Sequence, residues 1–334
     1  GKVSTKSSMV LLIGLIIGIA LPSLILYIIQ FLRYRIEGHD DVEALTSLPI
    51  LADVAIASDA VKTRADIVVH ENQNNQMEEI FRSMRTNLQF MLKEGQKVIM
   101  FTSSTSGEGK TFNAANLAIS FALLEKKVIL VGLDIRKPRL AELFEIDNHH
   151  NGITKLLMKD NPTWTDMEKE ILPSEINPNL DLLMAGPIPP NPGEIVTRPS
   201  LYTVIDQLKE HYDYILIDTA PVGLVTDTLQ VGKVSDATVF MCRADYTPKS
   251  AFGLINQLNA KKKLPNMSIV LNGIDMSKKK YGYYYGVGKY GKYRYYGSYG
   301  KYGSYGKYGS SRYGTYGTYG NKYGNENDNS LKLK

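Results

Sequence analysis

The sequence predicts a doubly wound α/β domain with a mostly parallel sheet, preceded by one membrane-crossing helix and followed by a disordered, tyrosine-rich tail. Three observations carry this reading. Short apolar runs recur and end in polar or acidic residues, as in "KVIMFT", "VILVGLD" and "YILID". Strands buried on both faces of a parallel sheet read as such unbroken runs. Residues 9–32 contain no charge at all, and 16 of the 22 tyrosines fall between positions 281 and 323, spaced by glycine and lysine.

The N-terminal run, "MVLLIGLIIGIALPSLILYIIQFL", has 24 residues. As a helix it rises roughly 36 Å, enough to cross a hydrocarbon core of about 30 Å with some tilt. It is too long for a signal peptide, and no small-residue cleavage site follows it. Gly14 and Gly18 form a GxxxG, which reads either as a packing face or as ordinary membrane composition. Lys2 and Lys6 on one flank balance Arg33 and Arg35 on the other, so the positive-inside count is a tie.

The formal charge of +5 conceals two parts. Residues 278–322 hold ten Lys or Arg and no Asp or Glu, which leaves the remainder at −5. A basic tail suits nucleic acid, anionic lipid or an acidic partner. Without an apolar period, and rich in glycine, it cannot order itself around a core. The single cysteine, Cys242, excludes an internal disulfide, and its setting "ATVFMC" marks it as buried and inert.

Residues 97–102 read as a strand, 103–110 as a small-residue loop and the stretch from Thr111 to Leu124 as a helix. Strand, Gly-rich loop and helix are the context of a phosphate-binding P-loop. Backbone N–H groups around Ser106, Gly107, Glu108, Gly109, Lys110, Thr111 and Phe112 face the phosphates, and the helix N-terminus adds partial positive charge. Lys110 bridges phosphate oxygens and the Thr111 hydroxyl meets Mg²⁺, so ATP and Mg²⁺ are the expected cofactors. Ser104 stands where the GxxxxGK[ST] pattern has its first glycine. A partition-type ATPase carries a signature lysine where this chain has Thr105. Asp134 and Asp218 end two apolar runs, which places both at the strand edge where doubly wound folds bind ligands, as metal-holding and catalytic candidates. "DATVFMCR" and "MSIVLNG" extend the sheet, and His149 and His150 read as loop surface.

These segments in order resemble the bacterial tyrosine kinases of capsule and exopolysaccharide export, the polysaccharide co-polymerase (chain-length determinant) family. The resemblance rests on the span with its late Pro22, "DVEALTSLPIL", "EEIFRSMRTNLQF", "SSTSGEGKTF", "LDIRKP", "AGPIPPNPGEI", "ILIDTAPVGLVTD" and the tyrosine tail. It implies residues 1–8 as the end of an extracytoplasmic region, 9–32 as the span and 33–75 as a juxtamembrane linker. The kinase domain then occupies 76–277 and an acceptor tail 278–334. A kinase needs cytoplasmic ATP, so the resemblance places the anchor in the bacterial inner membrane and the domain and tail on its cytoplasmic side. The resemblance also implies that the sequence is the latter portion of a longer protein with a first span and a periplasmic domain.

By the same resemblance Lys110 and Thr111 contact phosphate and Mg²⁺, Asp134 is the second acid of a D-x-D-x-R motif, Arg136 its arginine, Asp218 the Walker B acid, and Asn272 an adenine contact. Glu79, Arg82 and Arg85 match an E-x-x-R-x-x-R helix that joins neighbouring kinase domains in a ring; without the family they read as a solvated helix face with i,i+3 pairs. Ser106 replaces a proline, and Gly132 stands where the first acid of D-x-D belongs, so the phenolic proton goes to Asp134 or the reaction is slower. Expected partners are further copies of the chain, a polysaccharide polymerase, an outer-membrane export channel and a protein-tyrosine phosphatase.

The tail then reads as the acceptor of its own kinase: Tyr290, Tyr293, Tyr295, Tyr296, Tyr299, Tyr302, Tyr305, Tyr308, Tyr313, Tyr316, Tyr319 and Tyr323. Each phosphate adds about −1.5 to −2 charge, so roughly five to seven cancel the tail's positive charge and weaken its attraction to an acidic body. An ATP-dependent assembly scaffold without kinase activity is the alternative that Gly132 keeps open, and a membrane-tethered partition-type ATPase is a third.

Overall fold

Alternation along the strands explains why the apolar runs lack a polar face. The computed structural model describes residues 7–31, 34–56, 67–70, 75–146 and 150–275. The tail, with every acceptor tyrosine named above, lies outside the described residues, as does His149. The chain opens with α1 (Ser7–Phe31), α2 (His39–Leu45), β1 (Ile50–Ala55) and α3 (Gln76–Met91). The phosphate-loop unit follows as β2 (Val98–Ser103), α4 (Lys110–Ala122) and β3 (Val128–Leu133). Short elements come next: α5 (Leu140–Leu143), α6 (Ile153–Leu157), α7 (Trp164–Glu168), β4 (Leu172–Pro173), β5 (Leu180–Leu183) and α8 (Pro192–Val196). The last third holds α9 (Ser200–His211), β6 (Tyr214–Thr219), α10 (Thr228–Val234), β7 (Ala237–Arg243), α11 (Ala251–Ala260) and β8 (Met267–Ile274).

The described strands form one sheet in the order β1-β8-β7-β2-β6-β3-β5-β4, parallel throughout except for the β4–β5 edge. In β2, Val98 and Met100 enter one apolar layer while Ile99 and Phe101 enter the other; in β3, Ile129 and Val131 oppose Val128 and Leu130 in the same way. Helices α6, α9, α10 and α11 cover the first face through Leu156, Val204, Val231 and Ile255. Helices α3 and α4 cover the second through Phe81, Leu88, Leu117 and Phe121. From β2 the chain passes over β6 to reach β3, later returns to fill β6, and then crosses to β7 on the other side. The reversal beside β2 is the switch point at which such sheets open a ligand crevice.

The expected boundary at residue 76 is corrected. Residues 33–75, read as a linker, contribute α2 and the edge strand β1, which pairs with β8 in parallel. Ile36, Val42 and Leu48 are buried in one layer and Leu51 and Val54 in the other. Residues 67–69 lie on α4, where Asn116 Oδ1 accepts Val68 N (2.8 Å) and Val69 N (3.1 Å). The strands β1, β4 and β5 were not anticipated.

Helix α1 contains no charged residue and has Pro22 inside it. Its described side chains from Met9 to Ile25 are exposed. Among the described residues no helix is long and apolar enough to cross a membrane; the helical backbone of α1 runs for 25 residues.

Cys242 is fully buried in β7, and burial pushes its thiol pKa well up. The native protein is therefore expected to resist iodoacetamide at pH 8 and to be alkylated at once when unfolded in urea, as read by intact mass. A chain starting at residue 76 leaves the β8 edge unpaired and loses the buried Ile36, Val42, Leu48, Leu51, Val54, Ile67, Val68 and Val69 side chains, worth about 1.5–3 kcal/mol each. Compared with a chain starting at residue 34, it is expected to aggregate or to unfold at markedly lower urea.

Candidate active site

The loop between β2 and α4 is shaped by glycines in the left-handed region, Gly107 at φ 85° and Gly109 at φ 96°. At Gly109, the N-cap of α4, a Cβ would lie 2.0 Å from Asn272 Nδ2, so the position takes only glycine. The second glycine constraint comes from the segment after β6. A Cβ on Gly223 would meet Ser104 O at 2.2 Å, so "APVG" packs directly against the phosphate loop.

Glu108 was expected among the nucleotide-facing residues, but its side chain turns the other way. It is fully buried and accepts Ser104 Oγ (2.8 Å), Thr105 N (2.8 Å) and the Thr247 hydroxyl. The carboxylate is a staple of the loop, and only its backbone remains for phosphate. The Phe112 ring likewise turns away from the loop and packs edge-on against Phe81 of α3, with centroids 5.9 Å apart. Asn272, expected at adenine, donates Nδ2 to Glu108 O at 3.1 Å and so holds the loop. Ser106 contributes its carbonyl to Tyr246 OH (2.9 Å).

Lys110, Thr111 and Asp218 do converge. Thr111 Oγ1 donates to Asp218 Oδ2 at 2.6 Å, while Lys110 is nearly buried. Burial pushes the Asp218 carboxyl up to about 6, against the pull of Lys110 and Thr111 and with a further push from Asp134. Asp218 Oδ1 is buried and has no hydrogen-bond partner among the described residues. An orphaned carboxylate oxygen beside a hydroxyl and an ammonium fits a hydrated divalent cation. Among the described residues no three carboxylates, imidazoles or thiols gather, so most ligands to such a cation come from phosphate and water.

Asp134 follows β3, half-buried, with Oδ1 accepting Lys137 N at 3.0 Å. Gly132 lies opposite Asp218 in the β3–β6 register, so a first acid there would stand beside the buried carboxylate. A Cβ at 132 would meet Ala185 N at 3.3 Å and Leu140 Cδ2 at 3.4 Å, packing that favours glycine. Gly132, Asp134 and Asp218 line one shallow cleft with Pro138, Met184 and Gly186. Arg136 pairs with Asp227, and a Cβ on Gly193 would touch both side chains.

The expected interface trio divides. Arg82 is bonded within its own helix to Glu78 (2.9 Å) and Glu79 (2.8 Å), and Glu79 and Arg82 are exposed. Arg85 is buried and donates to Ser120 O and, at 3.1 Å, to Ser120 Oγ on α4. Its guanidinium ties α3 to α4 within the chain and does not stand on the surface with the other two.

Sequence reasoning missed Thr247 and Tyr246, because a hydroxyl some 140 positions from the loop carries no local signal. In EDTA, Asp218→Asn is expected to stabilise the protein at pH 7–8 by up to about 3 kcal/mol, less the cost of an unpartnered amide. The folded carboxyl is raised to about 6, above the ordinary range, so its destabilisation is full above that pH. The gain should fade through pH 6 towards 4 in urea melts, while Mg²⁺-dependent nucleotide binding is lost at every pH.

The AAA-domain family profile matches residues 96–271, just over half of the chain. Tyrosine-protein kinase YwqD of Bacillus subtilis is 35% identical over 62% of this chain and 85% of its own. Tyrosine-protein kinase CpsD of Streptococcus agalactiae is 30% identical over 68% of this chain and 97% of its own. Among solved structures, the chimerical protein CapA2B2 superposes with a TM-score of 0.63 at 31% identity, covering 71% of this chain and all of that one. The phosphate loop, the buried Asp218 beside Thr111 and these likenesses lead to one conclusion: the chain belongs to the bacterial tyrosine-protein kinases and is a protein-tyrosine kinase with a P-loop fold.

Proposed function

We propose that this kinase is anchored in the bacterial inner membrane by α1 and transfers the γ-phosphoryl group of ATP to tyrosines of the 278–334 tail of a neighbouring copy. In this reading it regulates the chain length and export of a surface polysaccharide. The observation that carries the catalytic part is the convergence of Lys110, Thr111 and Asp218, with one Asp218 oxygen left for a cation. The anchor is supported by the uncharged 25-residue helix, and the acceptor role by the density of tyrosines in a basic tail.

Loop N–H groups and Lys110 would hold the β- and γ-phosphates, and Thr111 with Asp218 would hold Mg²⁺, which supplies charge neutralisation when bound. The phenolic oxygen bonds to the γ-phosphorus while the β–γ bridging oxygen departs with ADP. Asp134, fixed by the Lys137 amide, takes the phenolic proton in place of the acid missing at Gly132. Transfer between copies, within a ring of the chain, suits the exposed Glu79 and Arg82; Arg85 then acts by holding their helix in place. A polysaccharide polymerase, an outer-membrane export channel and a protein-tyrosine phosphatase complete the proposed partners. Gly132 favours a second reading, an ATP-dependent scaffold with little transfer.

The test mixes full-length Lys110→Met with active protein lacking residues 278–334, in Mg-ATP, and locates phosphotyrosine by mass spectrometry. Phosphate is expected on the tail of Lys110→Met, whereas Lys110→Met alone should fall by about 100-fold or more. ATP binding without phosphotyrosine in the mixture would overturn transfer between copies and favour the scaffold.

A further inference from the structure

The donors of a phosphate loop are backbone N–H groups. A peptide unit is planar and trans, so its C=O and the next residue's N–H point in opposite directions. Pinning a carbonyl outwards therefore aims the following N–H inwards. Three successive carbonyls of this loop are pinned by side chains from other elements. Tyr246 OH donates to Ser106 O at 2.9 Å, Arg243 Nη1 to Gly107 O at 3.0 Å, and Asn272 Nδ2 to Glu108 O at 3.1 Å. The N–H groups oriented in this way belong to Gly107, Glu108 and Gly109.

Two of these donors stand at the end of β7 and in the turn that follows it. Tyr246 N (3.2 Å) and Thr247 N (2.9 Å) both donate to Arg243 O, and the Arg243 guanidinium lies over the Tyr246 ring. Thr247 is fully buried; its Oγ1 accepts Arg243 N at 2.8 Å and donates to the Glu108 carboxylate. An N–H, a hydroxyl and a carboxylate in series polarise one another, so removing the hydroxyl strands groups at both ends. Gly107 permits the approach, since a Cβ there would lie 3.1 Å from the Tyr246 oxygen. On its outer side the turn is bonded to Ile36, whose N donates to Thr247 O (3.0 Å) and whose O accepts Asp245 N (2.8 Å).

We propose that Tyr246, Arg243 and Thr247 are positioning residues for the polyphosphate of the nucleotide, an outer brace that sets the N–H groups of the loop before the ligand arrives. The inference rests on the nucleotide-site reading above and concerns binding, not transfer. It also assigns Asn272 to the brace, a role distinct from reading the base.

A base-free ligand separates bracing from base contact. Full-length protein, Tyr246→Phe, Thr247→Val and Thr247→Ser are titrated with Mg-ATP and with Mg-tripolyphosphate, by displacement of a fluorescent ATP analogue. Tyr246→Phe and Thr247→Val are expected to weaken both ligands alike, by roughly threefold to tenfold, the worth of a hydrogen bond. Thr247→Ser, which keeps the hydroxyl, should bind both as the parent does. Thermal unfolding without ligand checks the fold, and Tyr246→Phe, at an exposed site, carries the test if Thr247→Val does not fold. A loss confined to Mg-ATP would overturn the brace in favour of base contact, and unchanged affinity for both ligands would overturn it outright. Phosphotyrosine is no part of the readout, so failure of the acceptor reading does not register here.

Discussion

The parallel register of β2, β6 and β3 places Phe101 beside Asp218 and Asp218 beside Gly132, and the rest of the site depends on that alignment. On the other side, Ser103 of β2 stands beside Met241 of β7, and Arg243 beside Asn272 of β8. Parallel strands end at one edge, so the phosphate loop, both aspartates and the donors that pin the loop reach the same rim. A slip of one residue in β6 would turn Asp218 to the opposite face, away from Thr111.

The same alignment brings charge into the interior. Glu108, Lys110 and Asp218 are buried or nearly so within one crossing of the sheet edge. Ionised groups taken from water cost several kcal/mol each unless they are met by partners. Glu108 is met by three donors, whereas Asp218 is met on one oxygen only. The first carboxylate contributes rigidity and the second holds capacity for a ligand. Stability and ligand affinity at this site are therefore two expressions of one free energy.

Much of this was legible in the sequence, and the gaps have physical causes. The β2, β3, β6, β7 and β8 runs announced themselves because both faces of each are covered, which leaves no polar alternation. β1 escaped because "ILADVA" carries Asp53 at a sheet edge and sits before a stretch rich in polar residues. Lys110, Thr111 and Asp218 were readable from local motifs. The side-chain direction of Glu108 was not, since a carboxylate in a Gly-rich loop looks exposed until Thr247 is folded against it. Arg85 shows the converse: i,i+3 spacing puts it on a helix face with Arg82, but Ser120 of α4 decides that this part of the face points inwards.

Helix α1 ends at Phe31, and only residues 32 and 33 separate it from Tyr34, whose carbonyl accepts Lys249 N at 2.7 Å. The three peptide units from Phe31 to Tyr34 extend about 11 Å at most. With α1 in a bilayer, as proposed, the kinase is held close beneath the lipid and cannot drift through the cell volume in search of an acceptor. Encounters between copies then become a two-dimensional matter, governed by how many anchors share a patch of membrane. Under that anchoring, the short tether would turn lateral crowding into a variable that the enzyme can sense.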